Sequence, residues 1–127
     1  MFEIRKSSQF AAAHTLRGYE GPCSRNHGHN YKVEIVVRGE QLDDQQMILD
    51  CLEMDRILAP VIDKVDHRNL NEIPPFDSVN PTAEAIAAWF FRELKTTIAA
   101  RTDGRGRLSA VNLWETPDFC VTYSETD

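Results

Sequence analysis

Apolar and polar positions alternate through the first residues of the chain. Phe2, Ile4, Phe10 and Ala12 share one parity with Lys6 and Ser8, and the run continues through Ala13 to His14. Side chains two apart share a face of a strand, so this pattern predicts a β-strand ending at His14. From Thr15 to Asn26 the chain carries Gly18, Gly21 and Pro22, which mark a loop too long for a tight hairpin turn. Loops of this length inside compact folds commonly carry function. Tyr31, Val33, Ile35 and Val37 then alternate with Lys32, Glu34, Val36 and Arg38, the cleanest strand pattern in the chain. It begins at His27 and His29.

Gly39 to Gln46 is polar and predicts a connection. Met54, Ile57, Leu58, Val61, Ile62 and Val65 recur at helical spacing, which predicts a helix from about Cys51 to Val65. Pro60 predicts a kink or a break within it, because an interior proline lacks an N–H and crowds the carbonyl of Arg56. Asp66 to Asn71 reads as a polar exit, and Pro74-Pro75 stops further helix. Asn80-Pro81 predicts the next helix start, with asparagine as N-cap and proline at the first position. Ile86, Trp89, Phe90, Leu94, Thr97 and Ile98 form its buried face as far as about Ala100. Two strands, Leu108 to Glu115 and Phe119 to Tyr123, follow around a turn at Pro117-Asp118.

The order strand, strand, helix, helix, strand, strand has no βαβ repeat, so the predicted class is α+β, a four-stranded antiparallel sheet with helices on one face. Its uncovered edges predict an oligomer. At 127 residues the chain reads as a single domain spanning 1–127. A net charge of −6 argues against a nucleic-acid surface, which needs clustered lysine and arginine, and against an anionic membrane. With no spanning segment and no apolar signal stretch after Met1, the expectation is a soluble cytoplasmic protein. The 3 cysteines, Cys23, Cys51 and Cys120, are odd in number and widely spaced, so free thiols are expected rather than a disulfide framework.

Candidate chemistry gathers at Cys23-Ser24-Arg25-Asn26-His27-Gly28-His29-Asn30. On an extended segment His27 and His29 aim both imidazoles at one spot. An antiparallel hairpin brings His14 beside them, giving three nitrogen ligands and an open position, the pattern of a catalytic zinc. Cys23, in the loop before them, could serve as a base or nucleophile with its pKa lowered by a nearby cation, as a fourth metal ligand, or as a buried thiol. Asp66-His67 could be a proton relay only if the loop or a neighbouring subunit arranges it, since adjacent side chains on an extended segment diverge. A helix C-terminal histidine is the plainer alternative. Glu115, ahead of the turn, could be a solvated strand end, or it could accept two parallel N–H bonds from a guanidine-like ligand edge.

Taken together, Phe10-Ala11-Ala12-Ala13-His14, Cys23 with His27-Gly28-His29-Asn30-Tyr31, Leu49-Asp50, Asp66 to Asn71, Asn80 to Glu84 and Glu115-Thr116 resemble the 6-pyruvoyltetrahydropterin and 6-carboxytetrahydropterin synthase family across nearly the whole chain. The resemblance implies a Zn2+ site of His14, His27 and His29, with Cys23 as proton-abstracting base. It further implies Asp66-His67 as relay and Glu115 as anchor for the pterin ring. It implies the tunnelling fold, with two helices inserted between the second and third strands. Three subunits then close a barrel and two trimers stack as a homohexamer, with sites between subunits. The substrate implied is 7,8-dihydroneopterin triphosphate. Three residues, Ser24 to Asn26, separate Cys23 from His27. That short spacer resembles the carboxy-forming branch of queuosine biosynthesis, which releases acetaldehyde and triphosphate. Formation of 6-pyruvoyltetrahydropterin is the alternative, and a non-catalytic zinc- or pterin-binding module is another. Cys51 after Asp50, read as core, and Ala85 after Glu84 depart from the family pattern, which has phenylalanine and asparagine there. The acidic chain does not reveal whether Arg25, Lys32 or another basic residue holds the triphosphate.

Overall fold

The computed structural model describes residues 1–125, with the side chain of Cys23 excepted. It is an α+β structure in the order β1 (Phe2–His14), β2 (His27–Gly39), α1 (Cys51–Asp63), β3 (Arg68–Asn69), α2 (Ala83–Arg101), β4 (Gly106–Thr116) and β5 (Phe119–Ser124). The sheet departs from the four-stranded antiparallel expectation. It has five strands in the order β3-β1-β2-β4-β5, and β3 runs parallel to β1. The extra strand is only two residues of the segment read as a polar exit, too short for any periodicity to announce it. It also separates the helices, so both lie between β2 and β4 but not in one uninterrupted insertion.

The parity read from the sequence decides which face is covered. Phe10, Ala12, Tyr31, Val33, Ile35 and Val37 are buried with Leu108, Val111 and Leu113 against Ile57, Leu58, Ile86, Phe90 and Leu94 of the helices. Phe10 stacks on Tyr31 with ring centroids 4.8 Å apart, and Phe90 tilts over Phe10 at 5.5 Å. The other face carries Glu3, Arg5, Glu34 and Arg38, joined in surface ion pairs. Such pairs contribute little to stability.

Both helix starts are capped by side chains. Asp50 accepts from Leu52 N–H at 3.2 Å, and Thr82, rather than Asn80, accepts from Ala85 N–H at 3.1 Å. The expected cap at Asn80 fails because Asn80 uses its amide on the backbone of Arg17. Helix α1 runs through Pro60 without breaking in two, the proline sitting on the exposed side. It ends at Asp63, two residues before Val65, which is nevertheless buried. Cys51, read as core, is the exposed first residue of α1. None of the helices is long and apolar enough to cross a membrane.

Thr82→Ala is expected to lower the free energy of unfolding by about 1 kcal/mol through loss of the cap. A denaturant titration reads this. An unchanged midpoint would show that α2 takes its start from elsewhere.

Candidate metal centre

Strands β1 and β2 pair in a register that sets His14 opposite His27 and Ala12 opposite His29. The parity that buries Phe10 and Tyr31 therefore carries all three imidazoles onto the helix-covered face, at the end of the core. Their ring centroids are 4.4 Å (His14–His27), 5.1 Å (His14–His29) and 4.8 Å (His27–His29) apart. His14 is fully buried.

Hydrogen bonding fixes two of the tautomers. His14 Nδ1 lies 2.7 Å from the Pro81 carbonyl and His27 Nδ1 lies 2.7 Å from the Arg25 carbonyl. A carbonyl only accepts, so each Nδ1 carries its proton and each Nε2 presents a lone pair. Those two Nε2 atoms face one another at 2.9 Å. Paired lone pairs at that distance repel unless a proton or cation stands between them, and carbonyl-oriented imidazole is the usual arrangement of metal-ligating histidine. His29 Nε2 is buried with no hydrogen-bond partner, although Glu115 Oε1 stands 3.2 Å away. That separation is an ion-pair distance whose angles do not make a hydrogen bond. A buried polar atom left in this state calls for a further group at the site.

Burial holds the pKa of His14 and of His29 below the ordinary histidine value. The rings are therefore neutral at pH 7, the form that ligates a metal. Tyr31, whose hydroxyl lies 3.3 Å from His14 Nδ1, is pushed up by burial and stays a neutral phenol.

Glu115 joins the cluster. One ligand atom from each of His14, His27, His29 and Glu115 lies within 4.8 Å of the others. A bulge aims it there. Trp114 pairs with Cys120 and Thr116 with Phe119, which leaves Glu115 as the unpaired extra residue on β4. Sequence reasoning assigned Glu115 to a bound ring and missed its closeness to His29, although its parity with the buried Leu113 already placed it on this face. Three imidazoles and a carboxylate form a donor set suited to a divalent transition metal, so the residues present fit such an ion.

Asp66 and His67 lie along the outer edge of β1. His67 N–H donates to the Ala11 carbonyl at 2.6 Å, and Asp66 Oδ1 accepts from Ala11 N–H at 2.9 Å. The loop supplies the arrangement that a relay requires: His67 Nδ1 meets Asp66 Oδ1 at 3.0 Å. The reason is backbone: His67 has φ 59°, a left-handed conformation that turns its ring back over Asp66. The Ala11 N–H, then the His67 ring, holds the Asp66 carboxyl below the usual carboxylate range. His67 is 81% exposed, and among the described residues it has no hydrogen bond or ring contact with the histidine cluster. An open depression of about 420 Å³ nevertheless has both His29 and His67 in its wall, across the small residues Ala11, Ala13 and Gly28. Cys23 belongs to a single turn at Pro22–Ser24, and its side chain lies outside the described residues.

The α+β sheet carries at its end a histidine–carboxylate cluster that could hold a metal ion, an arrangement that points to a recognisable class. Residues 3–126 match the family described as 6-pyruvoyl tetrahydropterin synthase, and the chain belongs to that family. It is 30% identical to the 6-carboxy-5,6,7,8-tetrahydropterin synthase of Haemophilus influenzae, over 98% of this chain and all of that protein. It is 32% identical to the dihydroneopterin monophosphate aldolase of Pyrococcus furiosus, over 90% of each chain. The solved structure of Caenorhabditis elegans 6-pyruvoyl tetrahydropterin synthase superposes with a TM-score of 0.86 at 28% identity, covering 98% of this chain and 96% of that one.

Titrating the metal-free protein with Zn2+ is expected to fill one site per chain. His27→Ala should weaken it by more than the roughly 10–100-fold that loss of an outer hydrogen-bond partner costs. Equal affinity in wild type and variant, by competition with a chelating dye, would count against the cluster as a metal centre.

Proposed function

We propose that the protein is a zinc-dependent 6-carboxytetrahydropterin synthase, acting on 7,8-dihydroneopterin triphosphate in queuosine biosynthesis with release of acetaldehyde and triphosphate. The observation that carries the reading is the facing pair of Nε2 atoms at 2.9 Å beside the orphaned Nε2 of His29, in a chain of the pterin synthase family. The choice of product rests on the three-residue spacer from Cys23 to His27 and is supported by the likeness to the Haemophilus influenzae protein over the whole of both chains.

In this reading His14, His27 and His29 would hold the zinc, which would supply polarisation of the substrate side-chain oxygens. Glu115 accepts two N–H bonds from the guanidine-like edge of the pterin, replacing its approach to His29. Cys23 takes the side-chain proton, and His67, oriented by Asp66, returns a proton to the ring system. Loss of triphosphate from the side chain, addition of water at the carbon next to the ring and carbon–carbon cleavage in the retro-aldol sense then leave the carboxylate on the ring and free acetaldehyde. The exposed His67 and the outer edge of β1, unpaired by any described strand from Phe2 to Gln9, support a site completed by a neighbouring copy in a trimeric barrel and stacked hexamer. A triphosphate substrate is in keeping with the cytoplasmic location we propose.

Incubation with dihydroneopterin triphosphate is expected to give acetaldehyde and the carboxy product in equal amounts; a pyruvoyl product without acetaldehyde overturns the assignment. Cys23→Ala is expected to keep its zinc and lose turnover, whereas zinc lost with the thiol means that Cys23 is a ligand. Mixing Cys23→Ala with His67→Ala subunits should restore part of the activity, because some mixed interfaces carry both intact groups. No recovery places both residues in one subunit's site.

A further inference from the structure

Strand β1 ends at His14, but its outer edge goes on making hydrogen bonds. In an extended chain, alternate residues turn their N–H and C=O toward the same side. Ala11, Ala13, Thr15 and Arg17 share that side, and each residue of the series meets the segment between Asp66 and Asn80. Ala11 is paired by the Asp66 carboxylate and the His67 N–H, and Ala13 by Asn69 of β3. Thr15 N–H donates to Asn71 Oδ1 at 2.8 Å, and Asn71 Nδ2 donates to the Thr15 carbonyl at 3.0 Å. Arg17 N–H donates to Asn80 Oδ1 at 2.8 Å, and Asn80 Nδ2 donates to the Arg17 carbonyl at 2.7 Å. Two side-chain amides thus do for the loop what the peptide groups of a neighbouring strand do within a sheet. The Arg17 guanidinium adds a bond to the Phe76 carbonyl from the same segment.

We propose that Asn71 and Asn80 are positioning residues that carry the loop of residues 15–26 to the metal centre, fixing the backbone from which Cys23 works. The proposal rests on the reaction given above. The chemistry is specific to a carboxamide, which donates and accepts at once; aspartate of the same size only accepts and sets its charge against a backbone carbonyl. One clamp adjoins the centre directly. The residue after Asn80 is Pro81, whose carbonyl orients His14, so the loop and a metal ligand share a support. The other clamp follows the Asp66-His67 pair by a few residues and ties it to the same edge.

The test uses Asn71→Asp and Asn80→Asp in the zinc-loaded full chain, with Asn69→Asp as control. Among the described residues Asn69 uses only its side-chain acceptor, toward Asn71 N–H at 3.2 Å, so aspartate adds the same charge there without breaking a clamp. Amide hydrogen exchange of residues 15–26, read without substrate, is expected to rise roughly tenfold to hundredfold in either clamp variant while α2 keeps its protection. Turnover should fall by a similar factor in kcat with KM within about twofold and zinc content unchanged. Asn69→Asp should show none of this. Unchanged loop exchange, or faster loop exchange with wild-type kcat, overturns the proposal. So does a general loss of protection in both variants, which marks the amides as fold-stabilising only. The exchange result stands whichever product the enzyme makes, so a wrong product assignment and a wrong role for the amides are told apart.

Discussion

Everything at the candidate site depends on one register, the pairing of β1 with β2 that sets Phe10 against Tyr31 and His14 against His27. Burial enforces it. Sliding β2 by one residue would turn Tyr31, Val33, Ile35 and Val37 out to solvent and bring Lys32, Glu34 and Arg38 into the core. Those four residues are fully buried, so the loss would be about 1.5–3 kcal/mol for each side chain. The histidines ride on the same parity at the end of the same strands. The energy that fixes their convergence is hydrophobic, and the facing lone pairs are held together by packing elsewhere.

This coupling explains how much of the site was legible in the sequence. His14, His27 and His29 could be placed together because strand parity is a short-range rule and the apolar residues beside them declared it. Glu115 was legible as a residue on the core-facing parity of β4, but its 3.2 Å approach to His29 and its place as the unpaired residue opposite Cys120 and Phe119 depend on partners distant in the chain. The Asp66-His67 contact is conditional in the sequence, because extended backbone separates adjacent side chains, and φ 59° at His67, which no local pattern declares, meets that condition. Asn80 shows the reverse failure. Its local sequence is that of a helix cap, yet it bonds to Arg17, a partner 63 positions away, and Thr82 takes the cap.

The short strand β3 belongs with these long-range effects. Arg68 and Asn69 carry no strand pattern, and they pair because β1 offers an edge beyond the reach of β2. An unpaired edge must be covered or it becomes a template for another chain. In this fold a single segment covers the edge near the metal centre, first with a carboxylate and a backbone N–H, then with two strand residues, then with two carboxamides. The same residues that close the edge are those the family resemblance singled out, which gives their clustering in the sequence a mechanical reason.

The remaining length of that edge has no such cover. From Phe2 to Gln9, β1 meets no described strand on its outer side, and β5 lies at the other margin of the sheet. β3 and β5 lie at opposite margins of this sheet and do not pair with each other among the described residues, so the two margins are free to meet in different copies, as the proposed assembly requires. His67 sits where the covered part of the edge gives way to the open part, and it points outward at 81% exposure. A group proposed to transfer protons, left in solvent by its own chain, is poorly placed for a water-excluding reaction. Closure of the margins between copies would bury it beside another chain's centre. In the proposed assembly the constraint that finishes the sheet is the same one that finishes the site.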